Sequence, residues 1–152
     1  MRFFEFPIRR TDEPDEGQLQ FIEAERHVPF PVRRVYCSTG ASTGCVRGKH
    51  AHRALEQVLI CVHGEIRVML EEGGERSTCV LDDPAVGLYV GPMTWHTMTW
   101  IEDDSVLLVL ASDYYDDADY ISDYGELLTE DLMVREMVLR QVGRAGISDI
   151  TI

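Results

Sequence analysis

The chain has 152 residues and a mass of 17.3 kDa, which fits one domain, 1–152, with one hydrophobic core. Its net charge is −13, and because a nucleic-acid duplex repels so acidic a surface, binding to nucleic acid is not expected. No run of 18 apolar residues is present and the first 17 residues become charged too soon for a secretory signal, so we expect a cytoplasmic protein without membrane association.

Short runs rich in Val, Ile, Leu and Tyr, separated by turn residues, occupy positions 18–112 and predict an antiparallel all-β domain. The predicted strands are 18–24, 31–38, 44–52, 57–63, 65–71, 75–81, 86–90, 97–101 and 105–111. Many short strands at a spacing of roughly ten residues are typical of a double-sheet jelly roll or a small barrel.

The pattern changes after Tyr120, where apolar residues recur at helical spacing. These residues are Leu127, Leu128, Leu132, Met133, Met137 and Val138. They predict a C-terminal helix over about 124–142 that ends near Gly143.

The four cysteines are Cys37, Cys45, Cys61 and Cys79, and their spacing contains no Cys-x-x-Cys pair. In a cytoplasmic chain this pattern predicts free, mostly buried thiols rather than zinc ligands or disulfides.

Charge is unevenly distributed along the chain. Between Arg26 and Leu55 there is no Asp or Glu, whereas 113–131 carries eight acidic residues and no basic one. Either this is a chance gap beside a solvated acidic face, or the basic window forms an anion site within an acidic protein. We favour the anion site, and we expect the acidic block to be a solvated entry to the helix rather than a calcium loop.

The stretch CVRGKHAHRALEQ, residues 45–57, places His50 and His52 two positions apart on a predicted strand. Successive strand side chains point to opposite faces, so both imidazoles are expected on one face and Ala51 on the other. The spacing from Gly44 through these histidines to Gly64 resembles the first cupin motif, with Gln57 in the slot of the usual glutamate ligand.

A metal site is not expected from this pattern. The carboxylate ligand is replaced by Gln57, and Glu56 would point to the opposite face. The second cupin motif, counted from Pro92, would place its histidine at Thr97, so His96 is one residue out of register and the third imidazole is expected to be missing. Two imidazoles and an amide are a weak set of ligands, and the sequence therefore predicts no metal and no other cofactor.

Two imidazoles without a metal suit proton transfer, because histidine titrates near neutral pH and can accept a proton from carbon and return it. Four longer stretches extend this interpretation: VPFPVRRVY (28–36), RGKHAHRALEQVLICVHG (47–64), LDDPAVGLYVGPMTWH (81–96) and VLLVLASDYYDDADYISDY (106–124). With them the chain resembles the cupin-type nucleotide-sugar 3,4-ketoisomerases.

The resemblance implies a double-stranded β-helix, or jelly-roll, cupin without catalytic metal that forms a homodimer by exchanging N-terminal strands. It implies an enzyme that moves the ketone of dTDP-4-keto-6-deoxy-D-glucose from C4 to C3 for deoxy- and amino-sugar biosynthesis. It assigns proton abstraction to His50, with His52 as its partner, and places Tyr36 and Arg47 in the wall of the active site.

The local chemistry agrees with these assignments. We expect His50 to move the proton between carbons, His52 to shuttle protons between oxygens, and Tyr36 to stabilise the enediolate. Guanidinium groups suit a diphosphate, and Arg33, Arg34, Arg47 and Arg53 are the candidates.

Strand alternation allows Arg33 or Arg34 into the pocket but not both, and Arg47 requires a bulge at Gly48 to face the same way as His50. We assign Arg33, Arg47, Gln57 and Trp95 to substrate binding, Trp95 as a stacking surface for the base or the sugar.

Three other functions remain open at this point. A 3,5-epimerase of the same fold would use a histidine base and a tyrosine acid on a similar 4-keto sugar. A noncatalytic cupin would bind the dTDP-sugar without converting it, and a metal-dependent dioxygenase or isomerase would hold stoichiometric metal.

Overall fold

Two five-stranded β-sheets face each other in the computed structural model of this chain, which describes residues 1–10, 13 and 15–145. The strands are β1 (Arg2–Glu5), β2 (Ile8–Arg10), β3 (Gln18–Gln20), β4 (Arg34–Ser38), β5 (Val46–His52), β6 (Gln57–His63), β7 (Ile66–Glu72), β8 (Glu75–Leu81), β9 (Val86–Val90), β10 (Trp95–Trp100), β11 (Val106–Ala111) and β12 (Tyr120–Ile121). A 3-10 turn, Asp117–Asp119, precedes β12, and the helix α1 spans Tyr124–Ala145.

The strand order is β1-β9-β6-β11-β4 in the first sheet and β12-β5-β10-β7-β8 in the second, and every pairing is antiparallel. A small two-stranded sheet, β2-β3, stands apart. The all-β jelly-roll class is confirmed. The expected ranges 57–63, 75–81 and 86–90 coincide with β6, β8 and β9, whereas β1, β2 and β12 were not predicted.

The main core lies between the two large sheets. Leu59 and Cys61 of β6 point inward and pack with Val68 of β7 and with Trp100 at the end of β10. Val58 and Ile60, one residue out of phase, point to the opposite side of the first sheet, where Phe6, Val28 and Phe30 of the N-terminal segment cover them. Because both of its faces are buried, β6 reads as a continuous apolar run rather than an alternating one.

A β-bulge interrupts β5 immediately before the histidines. His50 pairs with His96 of β10, whereas Gly48 pairs with the next residue, Thr97, so Lys49 is an extra residue on β5. Gly48 and Lys49 both have positive φ, 83° and 61°. Beyond the bulge Arg47 pairs with Met98 and therefore shares the inward face with His50 and His96, as the sequence expectation for Gly48 required.

We expect the Gly48→Ala substitution to lower the free energy of unfolding by more than the cost of placing alanine at a positive φ. A Cβ at Gly48 would lie 2.7 Å from the backbone oxygen of His96, so the bulge would have to shift. Gly40→Ala is the matched control, because Gly40 also has positive φ, +69°, but no described atom lies within 4 Å of its added Cβ. Chemical denaturation should show a loss of about 1–2 kcal/mol for Gly40→Ala and a larger loss for Gly48→Ala; equal losses would contradict the close approach.

The helix α1 packs against the second sheet through its first turns. Leu127 is buried with Ala51 and Ile121, which form the outer face of β5 and β12. Arg53 Nη2 donates to carboxylate oxygens of Glu126 at 2.5 Å and Glu130 at 2.8 Å. The predicted helix is confirmed, and it continues past Gly143 to Ala145. The other apolar residues that predicted it are exposed, and they are Leu128, Leu132, Met133, Met137 and Val138.

The cysteines are free, as predicted, but not all of them are buried. Cys61 is buried, Cys45 and Cys79 are half-buried, and Cys37 is exposed. The expectation of a mostly buried set is therefore wrong for Cys37. Within the described residues, no helix combines the length and the apolar character that crossing a lipid bilayer requires.

Candidate active site

A cavity of about 650 Å³ opens between the two sheets. Strands of both sheets line it: β4 contributes Tyr36, β5 contributes Arg47 and His50, β6 contributes Gln57, and β10 contributes His96. Tyr120 of β12 closes one side. A cavity of this size accommodates a small organic ligand.

Three histidines converge beside this cavity: His50 and His96 line it, whereas His52 does not line it and is buried next to them. The ring centroid of His50 lies 5.0 Å from that of His52 and 4.6 Å from that of His96, and a ring nitrogen of each lies within 4.8 Å of the others. The shared face of His50 and His52 is as predicted, with Ala51 buried on the other side. The expectation that the third imidazole is missing is wrong, because β10 begins at Trp95 and alternation brings His96 inward with Met98.

Asp119 fixes the orientation of His52. The Nδ1 of His52, which is 2% exposed, lies 3.0 Å from Asp119 Oδ2, and the other carboxylate oxygen accepts from the Ala54 backbone N–H at 2.8 Å. An ionised carboxylate only accepts hydrogen bonds, so Nδ1 of His52 carries the proton and Nε2 keeps its lone pair. That Nε2 is buried and has no hydrogen-bond partner within the described structure.

The ring of His96 has the same tautomer, with the proton on Nδ1. Its Nδ1 lies 3.2 Å from the backbone oxygen of Thr94, which accepts hydrogen bonds and cannot donate them. His96 is 2% exposed. The lone pair of its Nε2 is therefore the one available to a neighbour.

Burial favours the neutral form of all three imidazoles. Burial lowers the pKa of His50, and burial together with the neighbouring His50 lowers the pKa of His52 to about 4 although Asp119 opposes the shift. Burial, with added repulsion from His50 and His52, lowers the pKa of His96 to about 3. At neutral pH each ring can therefore accept a proton.

Tyr36 presents a hydroxyl to the cavity across from the histidines. Gln57 Nε2 donates to the Tyr36 oxygen at 2.8 Å, which leaves the tyrosine O–H free to donate to a ligand. Burial raises the pKa of Tyr36 to about 12, so the hydroxyl stays protonated. The Oε1 of Gln57, a residue 1% exposed, is buried and has no hydrogen-bond partner in the described structure.

Arg47 and Arg33 lie in different places. Arg47 lines the cavity, is exposed, and donates to the hydroxyl of Ser38 at 3.1 Å. Arg33 does not line it; it lies 3.8 Å from Asp113, on the surface. Arg34 instead lies over the ring of Tyr36, 5.3 Å from its centroid. Alternation along β4 gives the inward position to one of the two neighbouring arginines, and that one is Arg34.

Trp95 lies outside the cavity lining. It is half-buried and stacks edge-on against Tyr124 of α1, with ring centroids 5.3 Å apart. The aromatic ring that does reach the histidines belongs to Tyr120, 5.0 Å from His50 and 4.4 Å from His52.

His96, Asp119 and Tyr120 were missed by the sequence interpretation. Asp119 was assigned to a solvated acidic block, yet its side chain is only 16% exposed and contacts His52. Counting back from the buried Trp100 through Met98 would have placed His96 on the inward face, whereas nothing in the local pattern marks Asp119.

The two facing sheets and the histidines between them define a cupin-like jelly roll whose cavity is equipped for acid–base chemistry. The chain belongs to the FdtA family, described as WxcM-like, C-terminal, whose model matches residues 1–131.

Three relatives are similar to this chain. A TDP-4-oxo-6-deoxy-alpha-D-glucose-3,4-oxoisomerase of Aneurinibacillus thermoaerophilus is 49% identical over 108 residues, 71% of this chain and 78% of the relative. A histidine-to-asparagine mutant of the 3,4-ketoisomerase QdtA from Thermoanaerobacterium thermosaccharolyticum, in complex with TDP-4-keto-6-deoxyglucose, is 38% identical, with a TM-score of 0.80 over 85% of this chain and 91% of that one. The TDP-quinovose 3,4-ketoisomerase WlaRB from Campylobacter jejuni is 37% identical, with a TM-score of 0.79 over 84% and 96%.

Proposed function

We propose that this chain is a sugar 3,4-ketoisomerase that moves the ketone of dTDP-4-keto-6-deoxy-D-glucose from C4 to C3. The observation that carries the proposal is a cavity lined by His50 and by the hydroxyl-bearing Tyr36, with the buried imidazole of His52 5.0 Å from the ring of His50. The relatives named above act on sugars of this kind, which supports the choice of substrate.

His50 is the base for the carbon-bound proton. It removes the proton from C3, which gives an enediolate across C3 and C4, and then returns a proton to C4. The ring is half-buried at the cavity wall, and its lowered pKa keeps it unprotonated at neutral pH. No net oxidation occurs, because the carbonyl at C4 and the hydroxyl at C3 exchange places.

His52 and Tyr36 act on the C3 and C4 oxygens of the sugar. One proton must leave the C3 hydroxyl and one must reach the C4 oxygen, and the Nε2 lone pair of His52, held in place by Asp119, can carry it. The Tyr36 O–H donates to the negative charge that develops on the enediolate, while Gln57 holds the tyrosine oxygen in place.

The substrate diphosphate needs cations at the cavity mouth. Arg47 supplies one such cation on the cavity wall. The guanidinium of Arg34 lies over the ring of Tyr36. Arg33 and Trp95, which the sequence assigns to the substrate, are given no role here, because Arg33 pairs with Asp113 on the surface and Trp95 packs beside Ala51 and Tyr124 on the outer face of the second sheet. Tyr120 offers a ring against which the sugar or base can stack.

Incubation with dTDP-4-keto-6-deoxyglucose tests the proposal. The expected product is a dTDP-3-keto-6-deoxyhexose, trapped by coupling to a 3-aminotransferase. The same reaction in heavy water should exchange deuterium at C3 and C4 but not at C5. Exchange at C5 would instead identify a 3,5-epimerase, and binding of the dTDP-sugar without exchange would identify a noncatalytic protein.

We propose that the enzyme is a cytoplasmic homodimer with exchanged N-terminal strands and that it needs no cofactor. β1 lies at the edge of the first sheet, where Arg2 to Glu5 pair with Tyr89 to Val86 of β9, so the same pairing can be made by the β1 of a second copy. Light scattering should give twice the chain mass, and a monomer at micromolar concentration would contradict the exchange.

A further inference from the structure

The helix α1 keeps several apolar side chains exposed in the described structure. Leu127 is buried against the second sheet, and Arg135 lies beside Gly73 in the turn between β7 and β8. Met133 and Met137, in contrast, are 64% and 57% exposed. A short helical segment without a packed face is marginal in water, so these side chains favour a partner that covers them. Most of this segment lies beyond residue 131, where the match to the FdtA family model ends.

One face of α1 carries its charges in a symmetric order. Residues three and four apart are neighbours on a helix surface, so positions 126, 130, 133, 137, 140 and 144 follow one another along one face. In the sequence these positions are Glu, Glu, Met, Met, Arg and Arg. The face therefore begins with two acids, has two methionines at its centre and ends with two bases. Turned end over end, it presents the opposite charge at each end and is complementary to itself.

Arg53 holds the acidic end of this face in place. Its Nη2 donates to carboxylate oxygens of Glu126 at 2.5 Å and Glu130 at 2.8 Å. Both carboxylates remain partly exposed to solvent. Because one guanidinium is shared by two carboxylates, a negative charge is left at this end for a cation that approaches from outside.

We propose that α1 pairs antiparallel with the α1 of a second copy of this chain through this face. With the two-fold axis at position 135, position 126 of one helix lies level with 144 of the other, 130 with 140, and 133 with 137. The methionines of the two copies cover one another at the centre, and acids meet bases at both ends. A parallel pair would bring like charges together at each end, so the charges select the antiparallel orientation.

This pairing uses a different surface from the exchange of N-terminal strands. The helix α1 packs on the outer face of the second sheet, whereas β1 lies at the edge of the first. A single pair of helices is a small contact, and small contacts are typical of weak, transient association. The exchanged dimer is therefore expected at micromolar concentration, and two such dimers join through α1 as the concentration rises.

Sedimentation of the protein from micromolar to millimolar concentration tests the pairing. The wild-type mass should double over this range. The double variant Met133→Gln, Met137→Gln should lose the doubling, and so should Arg140→Glu, Arg144→Glu, whose face is acidic at both ends. At micromolar concentration both variants should keep the wild-type mass, because the exchange of β1 does not involve α1.

The matched control is the double variant Leu132→Gln, Leu139→Gln. These leucines are 63% and 70% exposed, as much as the methionines, but they lie on another face of α1. This control should associate as the wild type does, and circular dichroism checks that every variant keeps its helix. Loss of association in the control but not in the methionine variant would show that the face is wrong. A constant wild-type mass, with sedimentation of the chain on phosphatidylcholine vesicles, would assign the helix to a lipid surface and overturn the pairing.

Disulfide trapping tests the orientation of the two helices. In the antiparallel pair the two copies of position 137 are four residues, about 6 Å, apart along the axis, whereas the two copies of position 141 are twelve residues, about 18 Å, apart. Oxidation at high concentration should therefore link Met137→Cys between chains above the level of the wild type, which has an exposed Cys37, and should not link Gln141→Cys. Equal linking of the two variants would indicate parallel helices and refute the proposal.

Discussion

The His50→Asn variant is expected to isomerise dTDP-4-keto-6-deoxyglucose about 10²–10⁴ times more slowly than the wild type, the usual contribution of a positioned acid–base group. Asparagine is similar in size to histidine but cannot take a proton from carbon. His50 is half-buried on the cavity wall, so the substitution should leave the fold and most of the substrate contacts in place. Single-turnover measurement of the product, with KM determined separately, distinguishes a loss of chemistry from a loss of binding.

The control for this variant is His63→Asn, an exposed histidine at the end of β6. Its kcat and KM should match those of the wild type. Deuterium exchange at C3 should disappear with His50→Asn, because that step is the one assigned to the ring. Turnover within about threefold of the wild type would show that His50 is not the base.

Asp119→Asn is expected to lower kcat by at least about tenfold, and at most by the 10²–10⁴ that loss of an acid–base imidazole costs. Asparagine keeps one oxygen for the Ala54 N–H but replaces the charged acceptor 3.0 Å from His52 Nδ1. The amide can then donate to Nδ1, which places the ring proton on Nε2 and removes the lone pair that the proposed mechanism uses for proton transfer. Asp119 and Ala54 do not line the cavity, so KM should change little.

Asp113→Asn is the matched control for this substitution. Asp113 belongs to the same acidic stretch but lies on the surface, 3.8 Å from Arg33. The Asp119→Glu variant tests whether the charge is what matters: a carboxylate that still reaches Nδ1 of His52 should retain part of the kcat that Asp119→Asn loses. An Asp119→Asn enzyme with wild-type kcat would show that the contact is structural and does not set the tautomer of His52.

The period of two along β5 is what made His50 and His52 predictable. Alternation places both on one face whatever the rest of the fold does, and the bulge that Gly48 permits accounts for Arg47. The choice between Arg33 and Arg34 had no such support. Alternation states that one of them faces inward, but the phase of β4 is set by its pairing with β11, which the sequence does not reveal.

His96 was misplaced because its position was counted from a loop. The motif count began at Pro92, and the length of a turn does not constrain the face of the strand that follows it. Counting from Trp100, which is 0% exposed, gives the correct answer, because His96, Met98 and Trp100 alternate on the inward side of β10.

Asp119 and Tyr120 could not have been found by any local count. Asp119 lies 67 positions from His52 in the chain, and β12, which carries Tyr120, is two residues long. A contact between such distant segments depends on the folded arrangement rather than on periodicity. In a stretch with many acids, composition predicts solvation for all of them, although one is needed inside.

The extra residue at Lys49 makes β5 tolerant of changes in length at one point. Arg47 before this residue and His50 after it both line the cavity, and between them the pairing with β10 already accommodates one unmatched position. A chain that lost this residue would pair as a regular strand and still present the same guanidinium and the same imidazole. Loss of this one residue therefore keeps Arg47 and His50 on the same face of the strand, whereas loss of one residue between His50 and His52 would place the two rings on opposite faces.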